Sequence, residues 1–442
     1  MFVIAFIAIY FMSRPTLEDD GSYSPSSLAL NLGTVSVTDF EDIKYTKYQG
    51  ERSKILVIFT EKKNLEMKNG KMFSTGNHPV EALVPMLHLK NAGFDFEIVT
   101  PSGNPVVFEM WAFPNEDENV KAFYNEYKSN FEQPKNLIDF MNNSFANDSS
   151  YAAVFVPGGH GAMIDLPEDR NVAKVLNWAN DRDLFTITLC HGPGALLSTT
   201  LDNQKFLYDG YKMAVFPDAV DEMTPIIGYL PGQMKNGVSE RLKNLGATIV
   251  NTESDQTVCI DRKLITGASP LASNELGKLA AETLLNELTK WTYNNDLWKI
   301  KLIVLFITLV GIGNYFQSID LYIVGNIFVL LFPVAVYFAV KVFNKRVNKL
   351  NSKTYGFGFN KFASTFLLGV GLALALQTFV LLISNLFFGV EIEFNGFKND
   401  FEKPHLNLLT TLILVGIWEE FYFRGLVFNT FLNLLLAFTS PL

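Results

Sequence analysis

Apolar positions follow two regimes along this chain. Between Lys54 and Leu288, short apolar runs alternate with segments of helical spacing. KILVIFT (54–60) reads as a buried strand, and Pro79–Asn91 as a helix with Leu83, Met86 and Leu87 spaced along its inner face. FDFEIVT (94–100) is the next strand, and the polar, helix-forming stretch 115–143 reads as an insertion or small cap. AAVFVPGG (152–159) is a strand ending in a glycine turn; Asn171–Asn180 is a helix and Leu184–Leu189 a further buried strand. Short strands follow at Met213–Phe216, Ala247–Val250, Thr257–Ile260 and Leu264–Thr266, with a closing helix over Gly277–Leu288. Continuous apolar strands alternating with helices predict an α/β fold, a parallel sheet covered on both faces. Sites in such sheets lie outside the carboxyl ends of the strands.

After Trp298 the pattern changes. Leu302–Phe316, Leu321–Val340 and Phe362–Phe388 are long apolar runs, and a fourth surrounds Leu406–Phe438. Runs of this length predict an all-α transmembrane domain of about four helices over 299–442, joined by a linker over 291–298. The loop between the second and third runs carries Lys341, Lys345, Arg346, Lys349, Lys353 and Lys361 with no acid, which places it in the cytoplasm by the positive-inside rule. Counting back two crossings places the α/β domain there too. The apolar stretch 1–11 is too short to span a bilayer. It reads as an upstream start or appended peptide, or as a short anchor, and the polar segment from Met12 to residue 22 reads as flexible.

Charge and cysteine content narrow the choice. Residues before Asp296 carry a net charge of −12 and the remainder +3, an acidic front that argues against a nucleic-acid partner. Cys190 and Cys259 are far apart in sequence and define no disulfide framework, which fits a reducing compartment.

The chemistry concentrates in LFTITLCHGPGALL (184–197). A strand turning sharply into a helix holds the residue at the turn exposed to the first free amides of that helix. Amides and helix dipole favour an anion, so a thiol at Cys190 is expected to lose its proton more easily than a free one. The alternative is a small packing residue. Gly158-Gly159-His160-Gly161 also follows a strand end, so the two turns are expected to face one pocket.

FSTGNHPVEALVPMLHLKNAGFDFEIVTPSGNPVVFEMWAFP (73–114), YAAVFVPGGHGAMIDLPE, ITLCHGPGALL, FPDAVDEMTPIIGYLPG and DRKLITGASPLASNELGKLAAE occur in order. Together they resemble the HchA-like branch of the ThiJ/PfpI superfamily over residues 23–290. The resemblance implies a flavodoxin-like, class I glutamine amidotransferase-like sandwich with a small cap, usually a homodimer. It also implies glyoxalase III, protein deglycase and chaperone activities without a cofactor. It places the nucleophile on Cys190, its histidine on His191, the acid on Asp218 and a glutamate beside the thiol on Glu81. Without it, Asp218 is a turn residue after Pro217 and Glu81 a first-turn helix acid. The amides of Gly159 and His191 are expected to form an anion hole, and His160 to line its glycine turn without reacting. Relatives can hold a metal through two histidines and a carboxylate. The matching positions here are Lys90, Asp95 and Tyr127, so no metal is expected, although His88 is nearby.

IWEEFYFRG (417–425) places three ionisable residues in the last apolar run, which marks them as functional candidates. Glu420 and Arg424 stand four apart on a helix, able to pair, and Glu419 points elsewhere. The motif resembles the first motif of CPBP-family (CAAX protease-like) intramembrane metalloproteases. No histidine follows Arg424, so the resemblance implies a partial, proteolytically inactive domain; a structural ion pair in an anchor is the alternative. The expected enzyme is therefore a membrane-tethered, cytoplasmic lyase converting methylglyoxal to lactate, with glycated proteins as further substrates. A holdase chaperone for unfolded chains is the alternative from a different class. A peptidase would also use a Cys-His-Asp set, but no peptide groove is implied, and the join between the two halves is either genuine or an accident of adjacent reading frames.

Overall fold

The computed structural model describes residues 12–143 and 150–289. Residues 1–11, the apolar runs after Trp298 and the Glu419, Glu420, Arg424 motif lie outside the described residues. Among the described residues no helix is long and apolar enough to cross a membrane.

Seven strands build the central sheet: β1 (Lys54–Ile58), β2 (Asp95–Thr100), β3 (Lys135–Asn136), β4 (Tyr151–Val156), β5 (Phe185–Leu189), β6 (Val258–Asp261) and β7 (Leu264–Gly267). Their spatial order is β6-β7-β5-β4-β1-β2-β3. All pair in parallel except β6, which closes one edge as an antiparallel hairpin with β7. Alternation along β1 shows how the sheet is covered. Ile55 and Val57 enter one core with Leu83, Met86, Phe94 and Leu284; Leu56 and Ile58 enter the other with Val172, Leu176 and Leu196. Successive side chains point to opposite faces, so a strand apolar at every position needs a layer on each side.

The helices are α1 (Pro79–Asn91), α2 (Glu118–Glu132), α3 (Arg170–Asp181), α4 (Asp218–Met223), α5 (Val238–Asn244) and α6 over 273–289. Helix α1 starts where the sequence pattern starts it, because Pro79 sits in the first turn where its missing N–H costs nothing. Asp117 accepts from the Val120 amide, and Asp169 from those of Asn171 and Val172, capping α2 and α3. The stretch 115–143 does form helices, α2 and a short one over Leu137–Asn143.

Two local expectations differ. Met213 does not enter the main sheet: Lys212–Met213 pairs in parallel with Thr248–Ile249 in a ribbon of its own. The segment expected to be flexible contributes Thr16–Leu17, antiparallel to Tyr23–Ser24, in a second sheet completed by Asn64–Glu66 and Met72–Ser74. Beyond it, Ser27–Gly33 forms a helix capped by Ser26, whose hydroxyl accepts from the Ala29 amide. These N-terminal pieces are too short to carry a hydrophobic period, so no pattern announces them.

Strands β4 and β5 run side by side in register, Ala153 opposite Phe185 through Val156 opposite Thr188. Their carboxyl ends, and the Gly158-Gly159 and Cys190-His191 turns that follow, therefore emerge together.

Candidate active site

Cys190 follows the last residue of β5 with φ +59°, a conformation few non-glycine residues adopt. Its amide donates to Gly267 O at 2.9 Å and its carbonyl accepts from the Phe216 amide at 3.0 Å. Bonds on both sides hold this strained residue in place. The chain then enters tight helical turns over Gly192–Asn203, broken at Leu201 and Asp202. The His191 amide precedes them, where backbone N–H groups lack an intrahelical acceptor. The thiol is buried and lies in a cavity of about 270 Å³ with Glu81, Glu109, Gly159, His160, His191 and Asp221 among its walls.

Cys190 Sγ lies 3.3 Å from His191 Nδ1, and His191 Nε2 lies 2.8 Å from Asp221 Oδ2. The other carboxylate oxygen, Oδ1, is 3.0 Å from His160 Nε2. Burial opposes a charge on Asp221, yet His191 and His160 together hold its carboxyl well below the usual carboxylate range. An ionised carboxylate only accepts hydrogen bonds, so both imidazoles carry their Nε2 protons. With Nε2 given to Asp221, Nδ1 is the ring nitrogen that faces the thiol.

Asp218 is not in this set. Its carboxylate accepts from the amides of Ser239 (3.0 Å) and Glu240 (2.8 Å) at the start of α5. The acid facing His191 is Asp221, three residues further on. Asp218 opens α4 and Asp221 lies nearly one turn along it, so spacing alone does not choose between them. Only the packing of α4, which rests against α5, does.

Glu81, in the first turn of α1, is buried with its carboxyl against the Cys190 thiol and the Gly159 amide. Burial pushes that carboxyl well above its usual range despite the favourable hydrogen bonds. The expectation of an easily ionised thiol is not met. Burial, then the charge and hydrogen bond of Glu81, push the Cys190 thiol up. Burial and the carboxyl outweigh the amides and the helix end, which favour the thiolate.

The glycine turn is sterically required. A Cβ on Gly158 would lie 1.9 Å from Glu81 Oε2 and 2.8 Å from Cys190 Cβ. Gly159 has φ +102° and stands where a Cβ would meet Gly76 O at 2.4 Å. The Cβ on Gly158 would also lie 2.4 Å from the Leu189 carbonyl oxygen, so Gly158→Ala is expected to lower the melting temperature as well as to lose about 100-fold in turnover, the usual cost of displacing a reacting group by an ångström.

Several wall residues went unassigned in the sequence. His160 was expected only to line its turn, but it shares Asp221 with His191, the two rings 4.0 Å apart. Glu109 is buried beside them, accepting from the Thr75 hydroxyl. His78 carries a buried Nδ1 without a hydrogen-bond partner among the described residues, and burial, aided by His160 and His191, lowers it to about 3, keeping it neutral. The available signal for Glu109 was one acid inside the apolar run VVFEMWAF.

The Lys90, Asp95 and Tyr127 positions do not suit a metal. Lys90 pairs with Glu126, and its ammonium lies over the rings of Phe123 (5.5 Å) and Tyr127 (5.3 Å). This leaves one carboxylate and a phenol as donors. Nearby His88 is engaged by Tyr45 and Asn274, both at 2.9 Å. Among the described residues, His160, His191 and Asp221 have ligand-type atoms within 4.8 Å of one another, but these atoms are committed to the hydrogen bonds above.

Residues 72–283 match the model of the DJ-1/PfpI family. The protein/nucleic acid deglycase HchA of Staphylococcus aureus strain MSSA476 is 47% identical over 274 residues, covering 62% of this chain and 94% of that protein. The chain belongs to the DJ-1/PfpI family. HchA of S. aureus strain NCTC 8325 matches to the same extent. Among solved structures, glyoxalase III from Candida albicans is 22% identical with a TM-score of 0.42, covering 52% of this chain and 98% of that one. The Francisella tularensis Rapid Encystment Protein is 21% identical with a TM-score of 0.44, covering 52% of this chain and 99% of that one. In this DJ-1/PfpI chain the matched segment includes Glu81, Cys190, His191 and Asp221, and it ends within α6.

Proposed function

We propose that this protein is a glutathione-independent glyoxalase with deglycase capability, acting through Cys190 on small dicarbonyls and on their adducts with protein amines. The single observation that carries this reading is the buried Glu81 carboxyl against the Cys190 thiol, with His191 and Asp221 on its other side. The names of the HchA relatives, and their high identity over nearly their whole length, support the same class.

The arrangement sets a sequence of steps. As Cys190 Sγ attacks the aldehyde carbon of methylglyoxal, its proton passes to His191 Nδ1, and Asp221 stabilises the resulting imidazolium. No free thiolate has to accumulate, which suits a thiol whose ionisation is disfavoured. The neutral Glu81 acid protonates the former aldehyde oxygen, with the Gly159 and His191 amides nearby to stabilise charge there. The hemithioacetal carbon then gives its hydrogen as a proton to the Glu81 carboxylate, while the neighbouring carbonyl oxygen takes the proton held by His191. Glu81 returns its proton to that second carbon, and the hydroxyl on the first carbon loses its proton to His191 as the C=O bond of an S-lactoyl thioester forms. Water cleaves the thioester to lactic acid and regenerates the thiol, and the proton left on His191 passes to the Glu81 carboxylate, restoring both groups for the next cycle. No external oxidant enters, because one carbon is oxidised as its neighbour is reduced.

The test is lactate formation from methylglyoxal by the purified full-length chain without glutathione or added thiol. Sustained turnover with one lactate per methylglyoxal consumed is expected. Loss of methylglyoxal without lactate, at the rate of simple adduct formation, would overturn the proposal.

A further inference from the structure

The isomerisation above uses Glu81, His191 and Asp221 and leaves one buried acid in the cavity wall without a task. Glu109 is 1% exposed. It stands at the end of the strand-like segment bridged to Asn77, with its amide donating to Asn77 O at 3.0 Å. Thr75 Oγ1 donates to Glu109 Oε1, which fixes one oxygen of the carboxyl. The other, Oε2, is buried and has no hydrogen-bond partner among the described residues. A buried carboxylate oxygen without a donor is uncommon and calls for an explanation, and the residue that carries it lines the cavity. The cavity, about 270 Å³, has room for a three-carbon acyl group and water molecules of about 30 Å³ each.

From this geometry we infer that Glu109 is the general base of the hydrolytic half-reaction, taking a proton from the water that cleaves the S-lactoyl thioester. The inference rests on the glyoxalase reading. Glu109 Oε2 accepts the water proton as the water oxygen bonds to the acyl carbon. The tetrahedral intermediate then expels the Cys190 sulfur by breaking the C–S bond, and the sulfur recovers a proton from the Glu109 acid. Thioester and water become lactic acid and thiol, with no other reactant. Division of labour has a physical reason. Glu81 must be protonated at the start of each cycle and is held well above its usual range by burial. Burial raises Glu109 only to about 7, with the His160 ring, the Thr75 hydroxyl and the nearby amides of Gly76 and His160 favouring its charge, and a base is most effective near the working pH.

Glu109→Gln in the full-length chain separates the halves. Reaction of Cys190 with methylglyoxal is expected to stay within about threefold of the wild-type rate, while steady lactate release falls at least about 100-fold. A Cys190 thioester then accumulates, and hydroxylamine, a nucleophile that needs no base, releases it as the hydroxamate and restores turnover. Wild-type lactate release, or slow release with no hydroxylamine-reactive adduct, overturns the inference. Thr75→Val keeps the carboxyl but removes its fixed donor, and so covers the case in which Glu109→Gln does not fold. The limb of kcat that rises near pH 7 is expected to move to higher pH, because loss of the donor disfavours the carboxylate; an unmoved limb counts against Glu109. Failure here is distinguishable from failure of the glyoxalase reading. In the first case lactate formation still requires Cys190, and in the second the wild-type chain makes no lactate.

Discussion

Cys190→Ala is expected to lower lactate formation from methylglyoxal by about 10⁶-fold, to the background of the solution reaction, the scale on which nucleophile removal acts in other covalent enzymes. Every step after the first takes place on carbon attached to this sulfur. The remaining thiol, Cys259, is half-buried on the edge strand β6 and is not part of the cavity wall, so it offers no substitute. Alanine fits the site without a new clash and removes no hydrogen bond on which the fold depends, since the Cys190 amide and carbonyl keep their partners. The melting temperature should therefore change by only a few degrees, on the order of 1–2 kcal/mol. Activity lost with the fold retained separates the chemical role from packing.

Asp221→Asn is the second large effect. The carboxylate holds the tautomer of His191 and stabilises its imidazolium. An asparagine there can present its NH₂ group to one imidazole and turn His191 the wrong way round, a change worth about 10⁴-fold in a triad of this kind. Asp218→Ala is expected to leave turnover within about twofold and to cost about 1 kcal/mol in urea unfolding, by freeing the Ser239 and Glu240 amides at the start of α5. The pair of variants distinguishes the two acids. Acid titration adds a third reading. The Asp221 carboxyl sits below its ordinary value of 3.8 in the folded chain. Its contribution to stability is then fully present above that pH and is lost as the pH falls toward the folded value. Asp221→Asn should remove that part of the acid transition.

Much of the fold was readable because the period of the sequence and the period of the structure agree. β4 and, after Lys54, β1 are apolar at every position, β5 is interrupted only by the buried Thr186 and Thr188, and all three are covered on both faces; α1 begins at a proline where the chain can begin a helix. What escaped was short or relational. Strands of two residues, such as Thr16–Leu17 and Lys212–Met213, carry no period. The ribbon formed by Lys212–Met213 depends on a partner, Thr248–Ile249, far away in sequence. The site divides in the same way. Cys190, His191 and Gly159 lie in local motifs whose turn chemistry announces them, whereas Glu81 reads as an ordinary first-turn acid without the family resemblance. Asp221 was missed for Asp218 because which side of a short helix faces the thiol is a packing outcome. The thiol's raised pKa escaped for a similar reason: a helix end is visible in the sequence, but the burial of a carboxyl against the sulfur is not. His160 and Glu109 owe their significance to neighbours 61 and 34 residues away, Asp221 and Thr75.

The most direct test of Cys190 as the nucleophile is to find the covalent intermediate. Full-length protein is mixed with methylglyoxal, quenched in acid within one turnover, digested and mapped by mass spectrometry. The account predicts a hydroxylamine-sensitive adduct with the mass of one methylglyoxal on the peptide containing Cys190, and none on the peptide containing Cys259. Lactate released at full rate with Cys190 unmodified at every quench time, or the adduct found on Cys259 instead, would contradict it.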